Sequence, residues 1–229
     1  MTDTDICVKV TGKNMRALIV SGGILDDNQV CSMIKNDGFD VIYAADAGME
    51  ALYRHHLTPD IIVGDFDSVC EEALSYFKRS GRVELVELTP EKDDTDTEHA
   101  IRDAISRGFD HIVLVGATGT RLDHVLANIS LLGIGLEEGI NMEMVDAHNR
   151  IRMVNGPISM EKESQFGKYV SLIPYSEVVE NLTLEGFKFE LNGYPLTGFN
   201  SLGVSNEIVA DVAHINFSKG ILLVIESRD

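Results

Sequence analysis

The apolar positions fall into two textures. Up to about residue 145, short apolar runs at residues 16–20, 41–45, 60–63, 83–88, 111–115 and 142–145 alternate with longer stretches of mixed character. The run at 60–63, with its β-branched Ile61-Ile62-Val63, has the pattern of a strand buried on both faces. Residues 47–56, 69–79 and 97–107 read as helices between such strands. That alternation predicts right-handed βαβ units and a mostly parallel, Rossmann-like sheet. After residue 149 helical periodicity disappears. Residues 151–160, 169–174, 181–191 and 214–226 are short, partly alternating runs, separated by Asn155-Gly156-Pro157, Asn192-Gly193 and Lys219-Gly220. This is the texture of an antiparallel β-sandwich. The expected fold class is therefore α/β plus all-β, with an α/β domain over residues 1–148 and a smaller β-sandwich domain over residues 149–229. Residues 1–14 are polar and read as a loose lead-in or an extra edge strand.

The chemically informative segments follow strands. Ser21-Gly22-Gly23, Asp46, Gly64-Asp65-Phe66-Asp67-Ser68 and Gly116-Ala117-Thr118-Gly119 each come just after one. They gather on the rim where open α/β sheets bind ligands. Two residues apart, Asp65 and Asp67 can reach one point, which suits a hard cation carrying phosphates; taken alone, the pair is also an ordinary solvated turn. Gly64 would let the backbone turn, with Phe66 anchoring the loop. In Lys92-Asp93-Asp94-Thr95-Asp96-Thr97-Glu98, Thr95 and Glu98 fit a capping box that starts a helix. Three nearby aspartates beside Lys92 should repel one another unless they share a cation.

The turn at Gly116 to Gly119 offers backbone N–H groups and a helix N-terminus to phosphate, but no Gly-Lys-Ser/Thr follows, so it is not a Walker A loop. Arg121 would lie at the helix start and face the same rim. His124 and Asn128 share a helix face, and neither is assigned a catalytic role. Asp46 could serve a metal, a ribose hydroxyl or the next helix N-terminus. Gly22 and Gly23 could approach a phosphate or only tighten a turn, and residues 201–207 read as a polar connection.

Charge sharpens this picture. The 229 residues carry a formal net charge of −18, which argues against nonspecific nucleic-acid binding or an anionic membrane surface. An acidic protein that takes a polyphosphate needs a divalent cation or a local focus of Lys and Arg. Three cysteines without ligand spacing, Cys7, Cys31 and Cys70, read as reduced thiols of a cytoplasmic protein. The first residues, with Asp3 and Asp5, do not read as a signal peptide, and no stretch is apolar enough to span a bilayer.

Together these residues resemble the thiamine pyrophosphokinase family. The matching segments are Ala45-Asp46-x-Gly48, Pro59-Asp60 running into Gly64-Asp65-Phe66-Asp67-Ser68, and Lys92-Asp93-x-Thr95-Asp96. They continue with Gly116-Ala117-Thr118-Gly119-x-Arg121-Leu122-Asp123-His124 and Gly203-Val204-Ser205-Asn206-Glu207. The resemblance implies Mg²⁺-dependent transfer of pyrophosphate from ATP to the thiamine hydroxyl, with AMP released, by a homodimer whose sites lie at the subunit interface. It implies Asp65, Asp67, Asp93 and Asp96 as metal carboxylates, with Asp96 the foremost proton acceptor. Lys92 and Arg121 would balance phosphate charge. Asp46, Gly22, Gly23, Gly116, Thr118 and Asp123 would stand on the nucleotide side, and Ser205 and Asn206 would face thiamine. Ala47 and Glu50 depart from the family pattern, and the chain has no Trp, so any stacking on substrate must use Phe or Tyr. Two other readings remain open at this point: a pyrophosphokinase for another heterocyclic alcohol such as a pterin, and a nucleotide-binding regulator without turnover.

Overall fold

The computed structural model describes residues 14–67, 69–89 and 94–229. The expectations placed on residues 1–13, Ser68, Lys92 and Asp93 lie outside the described residues. Strands β1 (Arg16–Val20), β2 (Val41–Ala45), β3 (Ile61–Gly64), β4 (Glu84–Glu87), β5 (His111–Val115) and β6 (Asn141–Val145) form the α/β part. Helices α1 (Asp27–Asn36), α2 (Gly48–Arg54), α3 (Glu71–Ser80), α4 (Asp96–Ser106) and α5 (Leu122–Glu138) connect them. The strand order is β6-β5-β1-β2-β3-β4, all parallel.

The continuous apolar runs are explained by burial on both faces. Ala17, Leu18, Ile19 and Val20 are all fully buried. Ala17 and Ile19 belong to a core with Ala100, Ile101 and Leu132 of α4 and α5. Leu18 and Val20 belong to a second core with Val30, Leu52 and Phe77 of α1, α2 and α3. Buried Tyr43 donates from its hydroxyl to Asp103 Oδ2 at 2.8 Å, and Arg107 ties Asp103 to Glu84. This bracing fixes α4 across β2 and β4. Burial pushes the Tyr43 hydroxyl well above its ordinary range, and the Asp103 hydrogen bond adds to the shift.

The remaining strands are β7 (Asn149–Val154), β8 (Ile158–Glu161), β9 (Tyr169–Pro174), β10 (Val178–Glu185), β11 (Leu191–Thr197), β12 (Asn206–Glu207), β13 (Val212–Asn216) and β14 (Leu222–Ser227). They make a sandwich with an unexpected construction. One leaf is the four-stranded sheet β11-β10-β13-β8; the other, β12-β9-β14-β7, is the far end of the same ten-stranded sheet that carries the parallel strands. The sheet runs unbroken across residue 148 because β6 and β7 pair antiparallel, around a turn in which Asp146 Oδ1 accepts from His148 N and Asn149 N. Val170, Leu172, Leu182, Leu184, Ile215 and Leu222 fill the space between the leaves.

In this junction the Glu226 carboxylate is fully buried. It accepts from Arg150 Nε at 2.7 Å and Nη2 at 2.8 Å, from Arg152 Nη2 at 3.3 Å and from Phe166 N at 2.9 Å. A buried charge with partners on all sides is tolerated, whereas removing one partner leaves the others uncompensated. Glu226→Ala is expected to lower stability by about 3 kcal/mol, the low end for such pairs because both arginines keep some solvent contact. Glu226→Gln should lose less, and urea unfolding at neutral pH measures both.

Candidate active site

The strand order reverses at β1. The connection to β2 leaves on one side, while β5 returns on the other. Loops after β1 and β5 therefore diverge, and a crevice opens at the carboxyl ends of the two strands. The structure has a cavity of about 780 Å³ there, lined by residues 21–24, 45–46, 95–97, 116–121 and the first two turns of α5.

Backbone hydrogen bonds bind the two loops together. Ser21 N donates to Val115 O, Gly23 N to Gly116 O and Ile24 N to Thr118 O, at 2.8, 2.7 and 2.7 Å. This approach leaves no room for side chains. A Cβ on Gly23 would stand 2.3 Å from Thr118 O and 2.4 Å from Gly116 O, and one on Gly116, whose φ is +66°, would stand 2.3 Å from Ser21 O. Asn128 donates from Nδ2 to Ala117 O at 2.8 Å and pins the same turn to α5. The glycines at 22, 23 and 116 and Thr118 thus share one wall.

The acidic side of the cavity is made by Asp46 and Asp96. Asp46 has φ +50°, and its N–H donates to Val63 O at 2.9 Å, so the loop after β2 is tied to β3. Burial pushes the Asp46 carboxyl above its ordinary value, the Ala47 N–H opposes this, and the charges of Asp96, Asp65 and Asp67 push it further up. The four carboxylates thus share one electrostatic neighbourhood, although Asp65 and Asp67 lie outside the cavity wall.

Two details differ from the sequence expectation. Among the described residues of the loop after β3, the left-handed one is Phe66 (φ +60°), not Gly64, which ends the strand. The capping box at α4 is half formed: Glu98 N donates to Thr95 Oγ1 at 3.2 Å, but the Glu98 carboxylate turns to Arg102.

Arg121 and Asp123 pair with each other, Nη2 to Oδ2 at 2.5 Å and Nε to Oδ1 at 3.2 Å, both exposed at the cavity mouth. Arg121 holds the Asp123 carboxyl down at about 2. Glu50, one of the departures, accepts from Cys70 N at 2.9 Å, so it fastens the end of the loop that carries Asp65 and Asp67. Ala47, the other, meets Gly22 closely: a Cβ on that glycine would lie 3.0 Å from the Ala47 methyl.

Ser205 and Asn206 are elsewhere. Neither lines the cavity. Ser205 is exposed, with φ +58°. Asn206 is 6% exposed, and its amide is occupied: Oδ1 accepts from Phe189 N at 3.0 Å and Nδ2 donates to Phe189 O at 2.7 Å. Its amide is engaged within its own chain because the edge strand β12 turns it inward onto the connection between β10 and β11.

Sequence reasoning gave no role to Ser21, Thr97, Asn128 or Glu50. For Asn128, its place four residues after His124 was the available signal.

A hard cation fits the donor set, which is entirely carboxylate. Among the described residues, no three His, Cys, Asp or Glu side chains form a metal cage. Mg²⁺ does not require one, because it is commonly held by one or two carboxylates together with substrate phosphates.

The catalytic-domain model of thiamin pyrophosphokinase matches residues 34–144, and the vitamin B1 binding domain model of thiamin pyrophosphokinase matches residues 157–222. The chain belongs to the thiamine pyrophosphokinase family. Thiamine pyrophosphokinase of Bacillus subtilis (strain 168) is 36% identical over 185 residues, covering 80% of this chain and 86% of that one. The crystal structure of thiamine pyrophosphokinase from Bacillus subtilis has a TM-score of 0.83 at 32% identity, covering 93% of this chain and 99% of its own. That of thiamin pyrophosphokinase from Geobacillus thermodenitrificans has a TM-score of 0.80 at 32% identity, covering 94% and 98%. The protein is thus an enzyme, transferring pyrophosphate to thiamine with ATP as donor. No helix among the described residues is long and apolar enough to cross a membrane.

The Gly23 contacts generate a test of this wall. Gly23→Ala forces the loops after β1 and β5 apart and is expected to lower kcat/KM for ATP about 100-fold, the cost of a displacement near 1 Å. Gly22→Ala, whose methyl would press on the Ala47 methyl at 3.0 Å and stand at ordinary contact, 3.5 Å, from the Ala47 backbone, should fall less. Steady-state kinetics with circular dichroism as a folding check distinguishes the two.

Proposed function

We propose that ATP lies in the β1/β5 crevice with its phosphates along the Gly116–Gly119 turn, and that Mg²⁺ joins it through Asp65, Asp67 and Asp96, with Asp93 and Asp46 beside them. The observation that carries this reading is the shared neighbourhood of Asp46, Asp65, Asp67 and Asp96 beside a glycine-walled cavity. Four like charges repel one another in the absence of a cation. When bound, Mg²⁺ supplies charge neutralisation of the phosphate oxygens.

The thiamine hydroxyl oxygen attacks the β-phosphorus in line, the bond from Pβ to the α,β-bridging oxygen breaks, and AMP leaves with that oxygen. The hydroxyl proton passes to Asp96. Backbone N–H groups of the Gly-rich turn, Lys92 and Arg121 balance charge on the transferring group. Asp123 holds Arg121 until phosphate competes for it. Among the described residues Cys31 and Cys70 are free thiols, which agrees with a cytoplasmic location.

Chromatography should find AMP, equimolar with thiamine diphosphate and dependent on Mg²⁺. Asp65→Asn or Asp67→Asn should abolish turnover while leaving the unfolding midpoint nearly unchanged. Stoichiometric ADP, or near-normal rates in both variants, contradicts the assignment.

The thiamine side calls for a second copy of the chain. β12 lies six strands from β1 in one sheet, roughly 29 Å at ~4.8 Å per strand. Ser205 is therefore remote from its own chain's cavity. Exposed Leu122 and Leu126 on α5, with Phe199, Leu202 and Val204 ahead of Ser205, are apolar side chains that a homodimer would cover. In this arrangement Ser205, and Asn206 through its grip on Phe189, serve the thiamine bound at the partner's rim.

Mixing Asp65→Asn with Asn206→Ala, each inactive or impaired alone, should restore activity toward roughly a quarter of wild-type sites, since half the dimers are mixed and each carries one intact site. No recovery despite demonstrated subunit exchange places both residues in one chain's site or leaves Asn206 without a substrate role.

A further inference from the structure

We infer that Ser21 and Thr97 are positioning residues for the Mg²⁺-bound nucleotide: their hydroxyl pair sets Asp96 against the phosphate-facing turn. The inference deepens the nucleotide reading above and rests on it. Ser21 Oγ and Thr97 Oγ1 are hydrogen-bonded to each other across 76 residues of sequence. Ser21 is 3% exposed, and its N–H is fixed on Val115 O at 2.8 Å, so its hydroxyl is held by the same backbone contacts that close the glycine wall.

Thr97 is the second residue of α4, immediately after Asp96. The helix start does not need its hydroxyl, because Thr95 Oγ1 already accepts from Glu98 N. A β-branched residue costs a helix slightly more than a straight-chain one, which leaves the contact with Ser21 as the work its hydroxyl does. Both residues line the cavity beside Asp96.

The chemistry of the pair suits this task. A lysine or arginine reaching α4 from the β1 loop would also fix the helix, but it would neutralise the carboxylates that a cation must meet. Two hydroxyls join helix to loop without adding charge. They also transmit placement directly, since the chain Val115 O, Ser21, Thr97 passes from the phosphate wall to the residue adjoining Asp96.

The test uses the full chain and two readouts. One is calorimetric binding of α,β-methylene ATP, whose α,β linkage cannot be cleaved, with and without Mg²⁺ and in the absence of thiamine. The other is steady-state kinetics. Thr97→Val keeps shape and removes the hydroxyl; Ser21→Ala removes the other partner. Each should weaken Mg²⁺-dependent analogue binding about tenfold, the upper range for one hydrogen bond, with KM for thiamine unchanged. The double variant should be no weaker than the worse single one, because one shared interaction is lost. Thr97→Ser should restore binding to within about twofold.

Additive losses in the double variant, a Thr97→Ser protein no better than Thr97→Val, or a thiamine KM that rises in step would overturn the inference. Wild-type binding that ignores Mg²⁺ overturns the nucleotide reading and this inference with it. Mg²⁺-dependent wild-type binding with unchanged variants overturns this inference alone.

Discussion

The candidate active site depends on how closely two backbones approach. Where the loops after β1 and β5 run side by side, Gly23 N–H meets Gly116 O and Ile24 N–H meets Thr118 O, with no space for a Cβ between them. This contact exists because β1 and β5 are neighbours at the point where the strand order reverses. It converts two turns into one wall and aims the first turn of α5 across it. Thr95, Asp96 and Thr97 reach the same cavity because α4 precedes β5 and is braced on β2 by Tyr43 and Asp103.

The second constraint is electrostatic. Asp46 is pressed by burial and by three neighbouring carboxylates, in a chain that already carries −18. The fold accommodates this arrangement through left-handed backbone at Asp46 and Phe66, a conformation costing roughly 1–2 kcal/mol for a side-chain-bearing residue. Backbone strain and like charge are thus gathered at one rim of the sheet. Glu50, by fastening Cys70 N, compensates locally at the end of the loop that carries Asp65 and Asp67.

The third constraint is the shared sheet. Joining β6 to β7 inside ten continuous strands makes one leaf of the sandwich an extension of the parallel part. Glu226 with Arg150 and Arg152 seals that junction. The same continuity carries β12 to the far edge, away from its own chain's crevice.

Local signals were sufficient for much of this molecule. Strands β1, β2, β5 and β9 have the residues that their apolar runs announced, because burial on one or both faces imposes a pattern on consecutive positions. Asp46, Asp96 and the Gly116 turn were legible because each follows a strand or starts a helix. The ten-strand continuity was not legible, since β6–β7 pairing is set by a turn at Asp146 whose residues suit many connections. Nor was Asn206's inward turn, which depends on β12 pairing with β9, or the left-handed Phe66 beside a glycine that seemed the natural hinge. Ser21 and Thr97 are unremarkable residues in sequence. Only the packing of α4 against the β1 loop brings their hydroxyls together, because a contact across 76 residues has no local periodicity to betray it.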